Sequence, residues 1–316
     1  MLQWLLDKEQ PAVRWLTLTM LLDRKESDPD VVEAKSTIPL RGWAADILRN
    51  QTDSGRWASD DSLYMPKYLS SNWMLIILSD LGMTKEDVRI AKSAELWIDE
   101  FSKEDGGFNT GKKSRKSELC ITGNTARSLV KFGYAEHQRV RSSFEWLVKN
   151  QHEKGGWSCW GSGRNLDSWE GLSAFASYPK QLWTRSMHEA VEKGAEFFLE
   201  RELHKQGKHY EPWYRFHYPV HYYYDLLVGL DFMTRLGYCD DRRLDHAVDI
   251  LKRRMLHDGR WLLDAIHPDV EGKIMEYWTK NPHRAPLPFA LEEIGMPSKM
   301  ITLTALGVLR RIEQPG

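Results

Sequence analysis

The chain has 316 residues, 41% of them apolar and 28% charged, and its 44 Lys and Arg stand against 45 Asp and Glu. That is the composition of a folded globular protein, and the balanced charge lacks the basic footprint needed to neutralise nucleic-acid phosphates. The longest purely apolar stretch, Trp73 to Leu78, is too short to cross a bilayer, so no transmembrane segment is expected. Met1 to Gln10 mixes acidic and basic residues and has no apolar run followed by a small-residue cleavage site, which predicts no signal peptide and a cytoplasmic protein. Cys120, Cys159 and Cys239 are too few for a disulfide framework and show no C-x-x-C spacing. The 14 Trp, several times common usage, ask for a repeating structural role or an aromatic cavity.

In chain order, helical apolar spacing begins with a segment at residues 11 to 22. A helix containing Ile47 then leads into the turn D-S-G-R-W ending at Trp57, and a second helix, from about Tyr68, stops at Leu81-Gly82-Met83. The same pair recurs: Ile98 precedes E-D-G-G-F at Phe108, and the next helix, from about Cys120, stops at Phe132-Gly133-Tyr134. Val140 to Asn150, with Leu147, leads into E-K-G-G-W at Trp157, with a second helix from about Asp167. Ala190 to Arg201 has the helix but only a degenerate turn at His204 to His209, followed by a helix from about His221 that stops at Leu236-Gly237-Tyr238. Leu251 precedes H-D-G-R-W at Trp261, residues 262 to 297 carry Pro268, Pro282, Pro286 and Pro288 and read as a long loop, and a last helix spans 298 to 312.

The turn aromatics are separated by 51, 49 and 104 residues, and the glycines of the second series by 51 and 104. A period of about 50 with two glycine-ended helices per unit predicts antiparallel hairpins, about eleven main helices in all. Trp15-Leu16-Thr17-Leu18-Thr19 echoes Ile301-Thr302-Leu303-Thr304, which predicts that the ends meet and the repeat closes into a ring. The expected fold is all-α: a single α/α toroid of about five to six hairpins, filling one domain over residues 1–316.

The Q-x-x-x-G-x-W form of Gln51 to Trp57 and Gln151 to Trp157 resembles the QW repeat of squalene and oxidosqualene cyclases and of protein prenyltransferase β-subunits. The resemblance covers nearly the whole chain as an architecture and implies first helices outside the ring and second helices inside. It also implies an isoprenoid ligand and a terpene cyclase-like or prenyl-transfer-like activity. The D-x-D-D acid motif of class II cyclases is absent, as is the D-x-C pair of prenyltransferase zinc sites. Asp240, Asp241 and Asp245 imitate a D-D-x-x-D magnesium motif, but they stand just before a helix, where carboxylates cap free N–H groups.

Loops entering the second helices should converge at one mouth of the ring. The densest segment there is Trp213 to Asp225, in which Pro219 in a first helical turn would set His221 and Asp225 four apart on one face as an acid–base pair. Trp73, Trp169, His217 and Tyr222 are the candidate substrate-binding residues beside it. Lys112, Lys113, Arg115 and Lys116 could screen a diphosphate leaving group, although a solvated surface run has the same appearance. Cys120 and Cys159, with His217 or His221, have the donor types of a zinc site, but packing accounts for them more simply, and neither a metal nor a cofactor is expected. The expected partner is a small apolar or isoprenoid ligand; a carbohydrate-active enzyme and a non-catalytic binding or scaffold ring are the alternatives, the last favoured by a filled ring.

Overall fold

The computed structural model of the chain describes residues 1–159, 168–204, 211–266, 280 and 291–314. A short helix α1 (Leu2–Leu5) is followed by α2 (Pro11–Leu16), whose end widens into a π-helical turn at Thr17–Leu21, and by α3 (Pro29–Thr37). Outer and inner helices then alternate. The outer ones are α4 (Gly42–Arg49), α6 (Val88–Phe101), α8 (Gln138–Lys149), α10 (Arg185–Leu199) and α12 (Asp245–Arg253). The inner ones are α5 (Ser71–Asp80), α7 (Leu119–Leu129), α9 (Glu170–Ser177), α11 (Leu226–Leu236) and α13 (Lys299–Glu313).

Burial separates the two layers. In α6 a single stripe is buried, Ile90, Ser93, Ala94, Trp97, Ile98 and Phe101, the three-and-four spacing of a helix with one face on a core. In α5 everything from Ser71 to Ser79 is buried, and in α7 only Cys120 escapes full burial. Inner helices touch in the order α5, α7, α9, α11, α13, and α13 packs on the π turn after α2. Arg310 of α13 donates from Nη1 to the Met20 carbonyl at 2.8 Å, and Lys299 donates from Nζ to the Trp4 carbonyl at 2.6 Å. At the other edge, Gly82, at φ +79°, lies so close to Trp15 that an added Cβ would stand 2.3 Å from the ring. The ends of the chain therefore meet, and the helices close into an α/α toroid.

The repeat turns are its staples. Indole N–H groups of Trp57, Trp157 and Trp261 donate at 2.8, 2.9 and 2.8 Å to the carbonyls of Ile47, Leu147 and Leu251, the aliphatic residues ten positions earlier. Backbone N–H groups of Trp57, Phe108 and Trp261 donate to hydroxyls of the following inner helix, Ser71, Thr122 and Thr302. Gln51 reaches from its turn to Arg89 and Ser93 of the next outer helix, and Gln151 reaches to Ala190 of its own. Each unit is thus tied to its neighbour by buried donors that all find acceptors.

Candidate functional site

Between the inner helices lies a cavity of about 640 Å³. Its wall is largely apolar, with Trp15, Leu16, Val130, Trp169, Phe232 and Met300 among the lining residues. It runs from the N-terminal ends of the inner helices, at Trp169 and Asp225, to their C-terminal ends, at Asp80, Lys131, Asp231 and Arg235. Two paired carboxylates stand at the C-terminal end. Lys131 Nζ lies 2.6 Å from Asp80, and Asp231 is held by Arg235 at 2.9 Å and Arg311 at 2.7 Å. Burial works against the Asp231 carboxylate, yet its two arginine partners keep it below the usual range.

The opposite end is set by residues 211–225, which do not form the helix expected from Pro219. The Tyr218–Pro219 bond is cis, and α11 begins only at Leu226. Asp225 is the cap: its Oδ1 accepts from the Val228 backbone N–H at 2.8 Å, and extended geometry at this residue starts the helix there. The tyrosines before it favour extended backbone and supply no competing cap. The segment is anchored from outside, since the Phe216 backbone N–H donates to Asp264 at 2.8 Å and Arg215 donates to the Asp264 carbonyl at 2.8 Å.

One consequence is a different partner for Asp225. His217, not His221, meets it: Nδ1 of His217 is 2.6 Å from Oδ2, which also accepts the His217 backbone N–H at 2.9 Å. Both residues are buried and line the cavity, and Nε2 of His217 has no hydrogen-bond partner among the described residues. A carboxylate that accepts the Nδ1 proton fixes the tautomer in which Nε2 carries the lone pair. The phenol of Tyr218, also buried and without a hydrogen-bond partner among the described residues, lines the same cavity, and burial drives its pKa well up, so it stays a neutral donor.

His221 belongs to an aromatic cluster instead. Its ring lies 4.9 Å from Trp73 and 5.8 Å from Tyr68, centroid to centroid, and Tyr222 closes the group through a 2.9 Å hydroxyl contact with Tyr68. Burial, with Arg127 and His217 nearby, lowers the His221 pKa to about 3, so the imidazole is neutral at ordinary pH. Trp73 and Tyr222 stand in this cluster behind the cavity, whereas Trp169 lines it and donates its indole N–H to the Tyr222 carbonyl at 3.3 Å.

The remaining candidates are dispersed. Lys112, Lys113, Arg115 and Lys116 are exposed on the loop before α7, and none lines the cavity. Cys120 and Cys159 do meet, the Cys120 backbone N–H lying 3.2 Å from the Cys159 sulfur, and burial together with that neighbour raises the Cys120 thiol pKa. Among the described residues no group of three or more His, Cys, Asp or Glu side chains could hold a metal. Asp241 caps the turn before α12, accepting from the Arg243 backbone N–H at 2.9 Å. Trp160 and Asp167 lie outside the described residues.

Residue typing alone passed over Arg127 and the Asp231–Arg235 pair. The signal was available: each is a charge inside a segment otherwise apolar or small, L-C-I-T-G-N-T-A-R-S-L and L-L-V-G-L-D-F-M-T-R-L. A charge on a helix as fully buried as α7 needs a partner or a ligand.

No protein-family model and no curated protein sequence matches the chain. Among solved structures it is similar to a protein from Actinoplanes, at 14% identity over 96% of this chain and 90% of that one, with a TM-score of 0.48. It is also similar to the type II terpene cyclase MstE from Scytonema, at 15% identity over 97% and 88%, with a TM-score of 0.47. An MstE variant in complex with its substrate geranylgeranyl dihydroxybenzoate gives 15% identity over 97% and 87%, with a TM-score of 0.46. These likenesses concern architecture. The class to which the chain's own helices assign it is the α/α toroid, and its chemistry has to be read from its own residues.

Proposed function

We propose that the protein is an isoprenoid-handling enzyme, terpene cyclase-like or prenyl-transfer-like, that holds an apolar chain in the central cavity and exchanges a proton with it at Nε2 of His217. The observation that carries this reading is a buried imidazole nitrogen, without a partner among the described residues, in the wall of a largely apolar cavity. At about 640 Å³ the space falls in the range of roughly 300 to 1,000 Å³ common to small-molecule sites. A filled ring would have favoured a scaffold.

The chemistry follows from the dyad. A proton leaves the ligand carbon next to a cationic centre, its bonding pair closes a double bond, and Nε2 takes the proton. The imidazolium so formed is stabilised by Asp225, which already holds Nδ1. The cationic centre is the one left on the ligand when an allylic leaving group departs with its bonding pair. The faces of Trp15, Trp169 and Phe232 can steady a cationic ligand by about 0.5–2 kcal/mol per ring. Because His221 is neutral down to about pH 3, it serves this reading as packing around the dyad rather than as the proton carrier.

The test is turnover of farnesyl- and geranylgeranyl-sized isoprenoids, with products read by gas chromatography and mass spectrometry. Wild type should convert at least one of them. His217→Gln and Asp225→Asn should each slow that conversion by about 100-fold or more with an unchanged circular dichroism spectrum. Undiminished turnover in either variant, or no isoprenoid converted at all, contradicts the proposal.

A further inference from the structure

Arg127 is the misfit of the inner ring. It sits on α7, 5% exposed, in a helix whose other residues are uncharged from Leu119 to Leu129. A guanidinium cannot shed its charge by losing a proton, as a buried lysine can. Among the described residues it receives one carbonyl, that of Val220 at 2.5 Å from Nη2, and the face of Trp169, whose ring centre is 5.3 Å away. Its Nε is buried with no acceptor, and no carboxylate pairs with it among the described residues. The carboxylates of the cavity wall have other partners: Asp80 is paired with Lys131 and Asp231 with Arg235 and Arg311, while Asp225 is occupied by hydrogen bonds from the ring and backbone of His217 and from the Val228 backbone N–H. A carbonyl and an aromatic face compensate a buried cation only in part, and an unneutralised charge at such depth costs several kcal/mol.

The neighbours of Arg127 share its condition. Val220, whose carbonyl holds the guanidinium, belongs to the segment that supplies His217 and Tyr218. Arg127, His217 and Tyr218 all line the cavity, all are at least nine-tenths buried, and each has one polar atom with no partner among the described residues: Nε, Nε2 and Oη. Native interiors rarely leave three polar atoms unsatisfied along one cavity wall unless something else satisfies them.

We propose that Arg127 and Tyr218 form a buried subsite for the carboxylate of an apolar acid, and that this sets the polar end of the ligand beside His217. The inference rests on the reading of the cavity as an apolar ligand site and adds the chemical class of the ligand. The planar guanidinium, with an N–H that lacks an acceptor, and a phenol donor suit a planar carboxylate better than a bulkier, more highly charged diphosphate.

The experiment compares geranylgeranoic acid with geranylgeraniol, and palmitic acid with hexadecanol, as ligands of the full chain. Binding is followed by the fluorescence of tryptophans that include Trp15 and Trp169 in the cavity wall. Wild type should bind geranylgeranoic acid at least about tenfold more tightly than the alcohol, as expected for a charge-assisted bond to a desolvated cation. Arg127→Met should bring the two affinities together by weakening the acid, and Tyr218→Phe should narrow the gap in part. The wild-type comparison needs no variant to fold. Equal binding of acid and alcohol, or an Arg127→Met variant that weakens both alike, overturns the subsite while leaving the isoprenoid reading intact. Preference for palmitic acid over hexadecanol with both isoprenoids rejected supports the subsite and overturns the isoprenoid reading. Failure of all four to bind overturns both.

Discussion

Asp225 shows how much one side chain can organise. It caps α11 through Oδ1 and with Oδ2 holds both the backbone and the ring of His217, so its position ties the start of an inner helix to the orientation of an imidazole. His221, four residues earlier, is tuned in the opposite sense. Burial, Arg127 and His217 hold its folded pKa at about 3, whereas an unfolded histidine takes up a proton below about 6.5. Between those values the unfolded chain binds more protons than the folded one, so this residue's contribution makes stability fall as pH drops through 6.5 toward 3. From pH 7 to pH 5 the loss should be about 2 kcal/mol. Replacing His221 by Phe, which keeps a ring against Tyr68 and Trp73, should remove that part of the slope. Urea unfolding of both proteins at the two pH values is the check, and parallel pH slopes would show that His221 does not titrate as described.

At the scale of elements, the glycine-aromatic turns do for this ring what hairpin turns do for a sheet. Gly155 has φ +93°, and a Cβ there would stand 2.3 Å from the Lys193 carbonyl oxygen of the next outer helix. Gly295 has a similar φ of +84° with nothing within 4 Å. Both Gly→Ala changes pay for left-handed backbone, but only the one at Gly155 also forces a helix away from its neighbour. Gly155→Ala should therefore cost about 1–3 kcal/mol more than Gly295→Ala in urea unfolding. Equal costs would mean that the close approach has no energetic weight.

The helices of this ring were legible because their signals are local and repeated. The aliphatic residue ten places before each turn tryptophan proves to be its hydrogen-bond acceptor, so the spacing encoded a contact. The site was less legible. Pro219 at a plausible helix start outweighed the capping strength of Asp225, which moved the start by several residues and exchanged His221 for His217 as its partner. Nor can spacing alone reveal that a cation such as Arg127 lies in a cavity wall without a carboxylate, because that is a property of five helices brought together.

For the whole molecule the decisive feature is closure. The last helix packs on α11 and on the π turn after α2, and Arg310 pairs with Asp23 besides holding the Met20 carbonyl. In an open superhelix, removing the terminal helix would trim one unit and leave the others folded. In a ring it opens the cavity wall at Met300, Ile301 and Leu303 and exposes α11 and the first helices together. A chain ending at Pro297 should accordingly lose cooperative unfolding and bind hydrophobic dyes, and a truncated chain that unfolds as sharply as the full one would speak against closure. For any ligand chemistry in this molecule the ring has to be a container. Its most direct test is a crystal structure of the full chain soaked with geranylgeranoic acid. The expected result is ligand density between the inner helices, with its carboxylate against Arg127 and carbon atoms packed on Trp169 and Phe232. A ring interior holding only water, with the acid bound elsewhere or not at all, would contradict it.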